Sequence, residues 1–158
     1  MKIGGKAEVP RVAPGTRFAV IAARFNEPFV AQLVTGAQRA LRLAGASDSD
    51  VEVHWVPGAW ELPAAALWLA STERFTAIVA LGCVIRGDTP HFEFVAGECA
   101  RGLMKVQIDT GVPIAFGVLT VDNPAQAEQR ADPARMDKGG ESAIAALEMA
   151  NLVRSLGD

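Results

Sequence analysis

Apolar and polar positions along this chain fall into blocks of two lengths. The short blocks are strand-like: Thr16–Arg24 (TRFAVIAAR), Val51–Val56, Thr76–Cys83 and Pro113–Leu119. The third is apolar apart from Thr76 and Gly82, the pattern of a strand whose two faces are both covered. The long blocks carry apolar residues at helical spacing. Glu27–Leu43 gathers Phe29, Val30, Leu33, Val34, Ala37 and Leu41 on one side, and Gly45 stands where a helix-ending glycine belongs. A second helix is predicted from about Trp60 to Ser71, with Pro63 in its first turn, where a missing N–H costs little. A third runs from Thr89 or Pro90 to about Val106. Asn123-Pro124-Ala125-Gln126 opens another with an N-cap asparagine, a proline at the first position and a glutamine at the third. The last extends from about Lys138 to Leu156, with Ile144, Leu147, Leu152 and Val153 on its apolar side.

Strand alternating with helix four times predicts an α/β fold with one parallel sheet and helices on both faces. The 158 residues suit a single core, and no linker, repeat or low-complexity tract divides them. Residues 1–15, with glycine, proline and scattered charge, read as a flexible N-terminal arm, and residues 16–158 as the one domain. The segment Glu61–Ala70 (ELPAAALWLA) is apolar almost all round, more than a single packed face requires. In a domain of this size that predicts contact with another subunit.

Charge and composition narrow the function class. Net charge is −3, which argues against nucleic-acid binding, where a basic face must displace counterions. Cys83 and Cys99 are too few and too isolated for a disulfide framework or a zinc site. No apolar run approaches membrane-spanning length, and the first seventeen residues lack a secretory core, so a cytoplasmic protein is expected.

In a sheet of this kind ligands bind beyond the carboxyl ends of the strands. The chemically rich segments fall there: Arg24-Phe25-Asn26, Pro57-Gly58-Ala59-Trp60-Glu61, Arg86-Gly87-Asp88-Thr89-Pro90-His91 and Thr120-Val121-Asp122-Asn123. The third is the richest. Gly87 admits close backbone approach, Asp88 or Thr89 caps the next helix, and Pro90 pre-forms its first turn. Free N–H groups at a helix start seat a phosphate or carboxylate. His91, at the lip, exchanges protons at neutral pH. Several of these residues also have plainer roles. Glu61 suits any helix first turn, Arg130 any solvated surface, and Trp60 and Phe116 any core, while Lys138 only has to begin a helix. His54, alternating in its strand with Val53 and Trp55, reads as structural.

Four motifs in order and register, VPGAWELP, ALGCVIRGDTPHFEFV, FGVLTVDNPAQAEQR and KGGESAIAALEMANL, resemble the lumazine synthase family from about Phe18 to Leu156. The resemblance implies a three-layer, flavodoxin-like sandwich around a four-stranded parallel sheet. It also implies condensation of 5-amino-6-(D-ribitylamino)uracil with 3,4-dihydroxy-2-butanone 4-phosphate to 6,7-dimethyl-8-ribityllumazine, the penultimate step of riboflavin synthesis. By the same resemblance Phe25 stacks on the pyrimidine, with Asn26 close by. Ala59, Trp60 and Glu61 hold the ribityl chain and ring edge, and Cys83, Val84 and Ile85 offer backbone groups to the uracil. Asp88 and Thr89 bind phosphate, and His91 shuttles protons. Phe116 and Arg130 come from an adjacent subunit, and Lys138 lies near the site. No metal or cofactor is expected. The family assembles as pentamers, decamers or sixty-subunit shells.

Departures are few. Trp60 replaces a phenylalanine, leucine or tyrosine, and Ala131-Asp132-Pro133-Ala134 follows Arg130, with Arg135 as the nearby cation. The rival reading is a non-catalytic relative that binds a lumazine or riboflavin. It needs neither His91 nor Arg130.

Overall fold

The computed structural model describes residues 8–157. Strands β1 (Phe18–Ala23), β2 (Val51–Val56), β3 (Ala77–Ile85) and β4 (Ile114–Val121) form one parallel sheet in the order β2-β1-β3-β4. Between and after them run α1 (Glu27–Leu43), α2 (Leu62–Ser71), α3 (His91–Thr110), α4 (Pro124–Ala131) and α5 (Lys138–Gly157). The fold is the α/β, flavodoxin-like sandwich expected.

Strand periodicity sorts β1 between two cores. Phe18, Val20 and Ala22 face α1, α4 and α5, where Val30, Leu33, Leu41 and Leu147 are buried. Ala19, Ile21 and Ala23 face α2 and α3, against Leu62, Ala66, Cys99 and Leu103. Both faces of β1 are thus dry, which is why its sequence is unbroken by polar residues. On the first face α1 and α5 pack closely enough that a Cβ on Gly139 would run into the Leu33 backbone, so only glycine fits.

Several predicted boundaries shift. β3 continues past Cys83 and β4 past Leu119 because each completes the other's ladder, Val84 opposite Thr120 and Ile85 opposite Val121. α3 runs beyond Val106 to Thr110, stopped by Gly111 in the left-handed region at φ 73°. Residues 59–61 form a separate 3-10 turn before α2.

Residues 1–7 of the proposed arm lie outside the described residues. Residues 11–14 are tied to the helices: Val12 N–H donates to Ala44 O at 3.0 Å, Asn151 Nδ2 to Arg11 O at 3.1 Å, and Arg154 to Pro14 O at 3.2 Å. α2 buries Leu62, Ala65, Ala66 and Ala70 but leaves Trp68 69 % exposed with Leu67 beside it. Among the described residues no helix is long and apolar enough to cross a membrane. His54, on the edge strand β2, pairs its Nε2 with Glu52 at 3.1 Å, and Arg74 reaches the same carboxylate at 2.9 Å. Those bonds hold Glu52 below the usual carboxylate range, Arg74 contributing most.

Candidate active site

The chain leaves β1, pairs β2 on one side, then crosses back to lay β3 on the other. The reversal opens a crevice at the carboxyl ends of β1 and β3. A cleft of about 780 Å³ lies there, bounded by the ends of β1, β2 and β3 and by the first turns of α3. Its walls include Phe25, Asn26, Ala59, Trp60, Glu61, Cys83, Val84, Ile85 and His91, nine of the residues singled out from the sequence.

Phe25 and Asn26 stand in the turn between β1 and α1. Asn26 adopts the left-handed conformation at φ 61°, which its short side chain tolerates, and its Nδ2 donates to Cys83 O at 2.8 Å. This bond ties the ends of β1 and β3 together and occupies one lone pair of a carbonyl that faces the cleft. Phe25 N–H donates to Pro57 O at 3.0 Å, fixing the aromatic residue against the turn that follows β2. The ring itself is 71 % exposed. It lies over Gly58, whose absent side chain makes room for it: a Cβ there would sit 2.7 Å from Phe25 Cδ2 and 3.4 Å from Glu61 Oε2. An open aromatic face, a carboxylate and a stretch of backbone are thus arranged on three sides of one hollow.

The fourth side is the start of α3. Pro90, not Asp88 or Thr89, is the N-cap residue, and it makes no side-chain cap bond. Proline cannot cap through a side chain and here only sets the first turn. Thr89 Oγ1 accepts from His91 N–H at 3.4 Å, a long bond, and Asp88 is exposed. His91 is the first helical residue, with Phe94 and Val95 following one turn later on the same face. Gly87 has open space around its Cα and a φ outside the left-handed region, so nothing inside the chain demands glycine there. Burial pushes the Cys83 thiol up to about 11, so its sulfur stays a protonated, unreactive thiol.

A family model described as 6,7-dimethyl-8-ribityllumazine synthase matches residues 15–154. The chain belongs to that family. The match spans every strand and helix named above, up to all but the end of α5. It therefore places the chain in the lumazine synthase family, a family of riboflavin biosynthesis.

Phe116, Arg130 and Lys138, which the sequence motifs assign to the lumazine synthase site, do not reach the cleft. They line a separate hollow of about 270 Å³ between β4 and α5, together with Glu141 and Ser142. Arg130 Nη1 donates to Gln126 O at 3.2 Å, and Lys138 Nζ to Glu141 at 3.0 Å. Phe116 is about half exposed on the outer strand of the sheet. Three wall residues were given no role of their own by the sequence reading: Gly58 was named only within its segment beyond β2, and Phe94 and Val95 were absorbed into the helical pattern. Their spacing from His91 is the signal that was available. Among the described residues no group of three or more His, Cys, Asp or Glu side chains is close enough to hold a metal ion.

Proposed function

We propose that this chain condenses 5-amino-6-(D-ribitylamino)uracil with 3,4-dihydroxy-2-butanone 4-phosphate to give 6,7-dimethyl-8-ribityllumazine, releasing phosphate and water. The observation that carries this reading is the convergence of Phe25, Ala59–Glu61, Cys83–Ile85 and His91 on one cleft, within a chain of this family.

The pyrimidine stacks on the open face of Phe25. Ala59, Trp60 and Glu61 take the ribityl chain, the Glu61 carboxylate accepting from its hydroxyls, and the backbone of Cys83–Ile85 reads the uracil edge. The phosphate of the second substrate sits at the start of α3, beside Asp88 and Thr89, where the helix offers N–H groups and the positive end of its dipole. The pyrimidine's amine attacks the ketone, and loss of water gives an imine. Elimination of phosphate follows, and closure of the second ring, by attack of the ribityl-bearing nitrogen on the remaining carbonyl, releases a second water. Each stage moves protons, and His91 is the group beside the cleft suited to carry them near neutral pH. Bringing both substrates into one hollow supplies much of the acceleration.

The site is completed by a neighbouring copy. Phe116, Arg130 and Lys138 stand together outside this chain's own cleft, which supports their serving the cleft of an adjacent subunit. The apolar surface left by Leu67 and Trp68 supports the same arrangement, a ring of at least five chains, with a decamer or sixty-subunit shell where such rings pack further.

Purified protein mixed with both substrates should develop lumazine absorbance, and His91→Ala should slow turnover by roughly 10²–10⁴-fold while substrate binding persists. A protein that binds lumazine or riboflavin but forms no product would be the non-catalytic relative instead.

A further inference from the structure

Arg86 opens the β3–α3 loop, one residue before Gly87. Its guanidinium is engaged on three sides. Nη1 donates to Glu93 in the first turn of α3, Nε donates to Asp122 Oδ1 at 3.2 Å just past β4, and Cζ lies 4.3 Å from the centre of the Phe92 ring. The backbone is anchored independently, Arg86 N–H donating to Val121 O at 2.9 Å. The two carboxylate bonds raise Arg86 above its ordinary value, Glu93 contributing most, and Arg86 in turn holds Glu93 below the usual carboxylate range.

An arginine beside a phosphate seat would ordinarily be read as the phosphate's ligand. This one is already committed. One cation is shared by two carboxylates, so the cluster carries a net charge of −1 (+1 from Arg86, −1 each from Glu93 and Asp122). Asp88, exposed in the same loop, adds another negative charge. Without Arg86 the start of α3 would be ringed by three unpaired carboxylates, a poor place for a dianion.

Resting on the reading of this loop as the phosphate seat, we propose that Arg86 is a positioning residue that determines its specificity for an anion. By drawing Glu93 and Asp122 together across the ends of β3 and β4, it withdraws their charge from the seat without touching substrate.

Steady-state kinetics with both substrates, on the assembled protein, test this. Arg86→Gln should raise the KM for the phosphate-bearing ketone about tenfold and leave that for the pyrimidine within about twofold, an effect one unit charge a helical turn away can produce. The deficit should grow as ionic strength is lowered from about 0.15 M to about 0.01 M, because screening weakens. Arg86→Lys keeps the charge and should recover most of the affinity. The double variant Arg86→Gln/Asp122→Asn restores the cluster to −1 and should return within about threefold of the parent. Equal rises in both KM values, or a double variant no better than Arg86→Gln, would overturn the proposal. Calorimetric titration with inorganic phosphate reads the seat without turnover. If the parent protein binds phosphate but makes no lumazine, the enzymatic reading fails on its own. Arg86 is then judged by whether Arg86→Gln binds phosphate about tenfold more weakly. A parent protein showing neither turnover nor phosphate binding has no such seat, and the proposal falls.

Discussion

Replacing Gly58 with alanine separates what the cleft needs from what the fold needs. Gly58 has φ −157° and ψ −176°, extended backbone that any residue adopts, so the substitution introduces no conformational strain. The new Cβ would lie 2.7 Å from Phe25 Cδ2 and 3.3 Å from Cε2. Ordinary carbon–carbon contact is about 3.5–4.0 Å, so the ring must withdraw by roughly an ångström. Because the ring is 71 % exposed, withdrawal sacrifices little buried area. Alanine also restricts the unfolded chain, which favours the folded state by ~0.4–1 kcal/mol at a compatible site. Stability should therefore be unchanged or slightly raised. Binding should not be. Stacking of a heterocycle on an aromatic side chain is worth ~1–3 kcal/mol, and losing about half of it raises the pyrimidine KM roughly two- to tenfold. The assay is steady-state kinetics with each substrate varied in turn, beside a thermal melt. The KM of the phosphate-bearing substrate, which the proposed reading seats at the far side of the cleft, is the internal control. A wild-type pyrimidine KM would refute the reasoning. A loss of more than about 1 kcal/mol in stability would show that the glycine serves the fold and not the ring.

Asp137 stands at φ 47° before α5 and accepts from Gly140 N–H at 3.1 Å, and burial, the largest influence on it, raises its carboxyl above the ordinary 3.8. A raised acid binds more protons folded than unfolded, so its ionisation lowers stability as pH rises above 3.8 through the folded value. Asp137→Asn, which keeps an acceptor and tolerates the left-handed backbone, should melt higher than the parent at pH 7 and no higher near pH 3, by calorimetry at both pH values. Burial pushes Cys83 to about 11 and Cys99 to about 12, so a thiol reagent at pH 8 should find both slow in the native protein and both fast after denaturation. On the shared-site reading, His91→Ala and Arg130→Ala chains refolded together should recover about a quarter of parental activity, since random mixing leaves that share of sites native. Recovery no greater than the sum of the separate variants would place both residues in one chain's site.

Most of the fold was legible because a parallel sheet covered on both faces writes itself as unbroken apolar runs. Ala77–Leu81 could scarcely be anything else. What the local pattern could not supply was anything decided by a partner strand. Val84 and Ile85 join β3 only because Thr120 and Val121 pair with them, and those two extra rungs carry β3 up to the cleft. The candidate site divides in the same way. Phe25, Asn26, Ala59–Glu61 and His91 announce themselves as polar or aromatic residues beyond strand ends. Gly58 acquires its role only through Phe25, which the β1–β2 pairing brings over it from another loop. Arg86 stands in the sequence only as the first residue of the segment after β3, and its bond to Asp122, more than thirty residues away, exists only because β3 and β4 pair.

That last bond leads further along the chain. Asp122 N–H donates to Gln126 Oε1 at 2.8 Å, Asn123 Oδ1 accepts from Gln126 N–H at 2.9 Å, and Gln126 O accepts from Arg130 Nη1 at 3.2 Å. The turn that ends β4 therefore grips Arg86 of the β3–α3 loop on one side and orients Arg130 on the other. If the start of α3 seats the phosphate and Arg130 serves a neighbouring cleft, as proposed, one short turn sets the electrostatics of its own seat and aims the clamp of the next. The capping glutamine at the head of α4, which the sequence marks only as a helix start, is then the residue through which the two halves of a shared site are held in register.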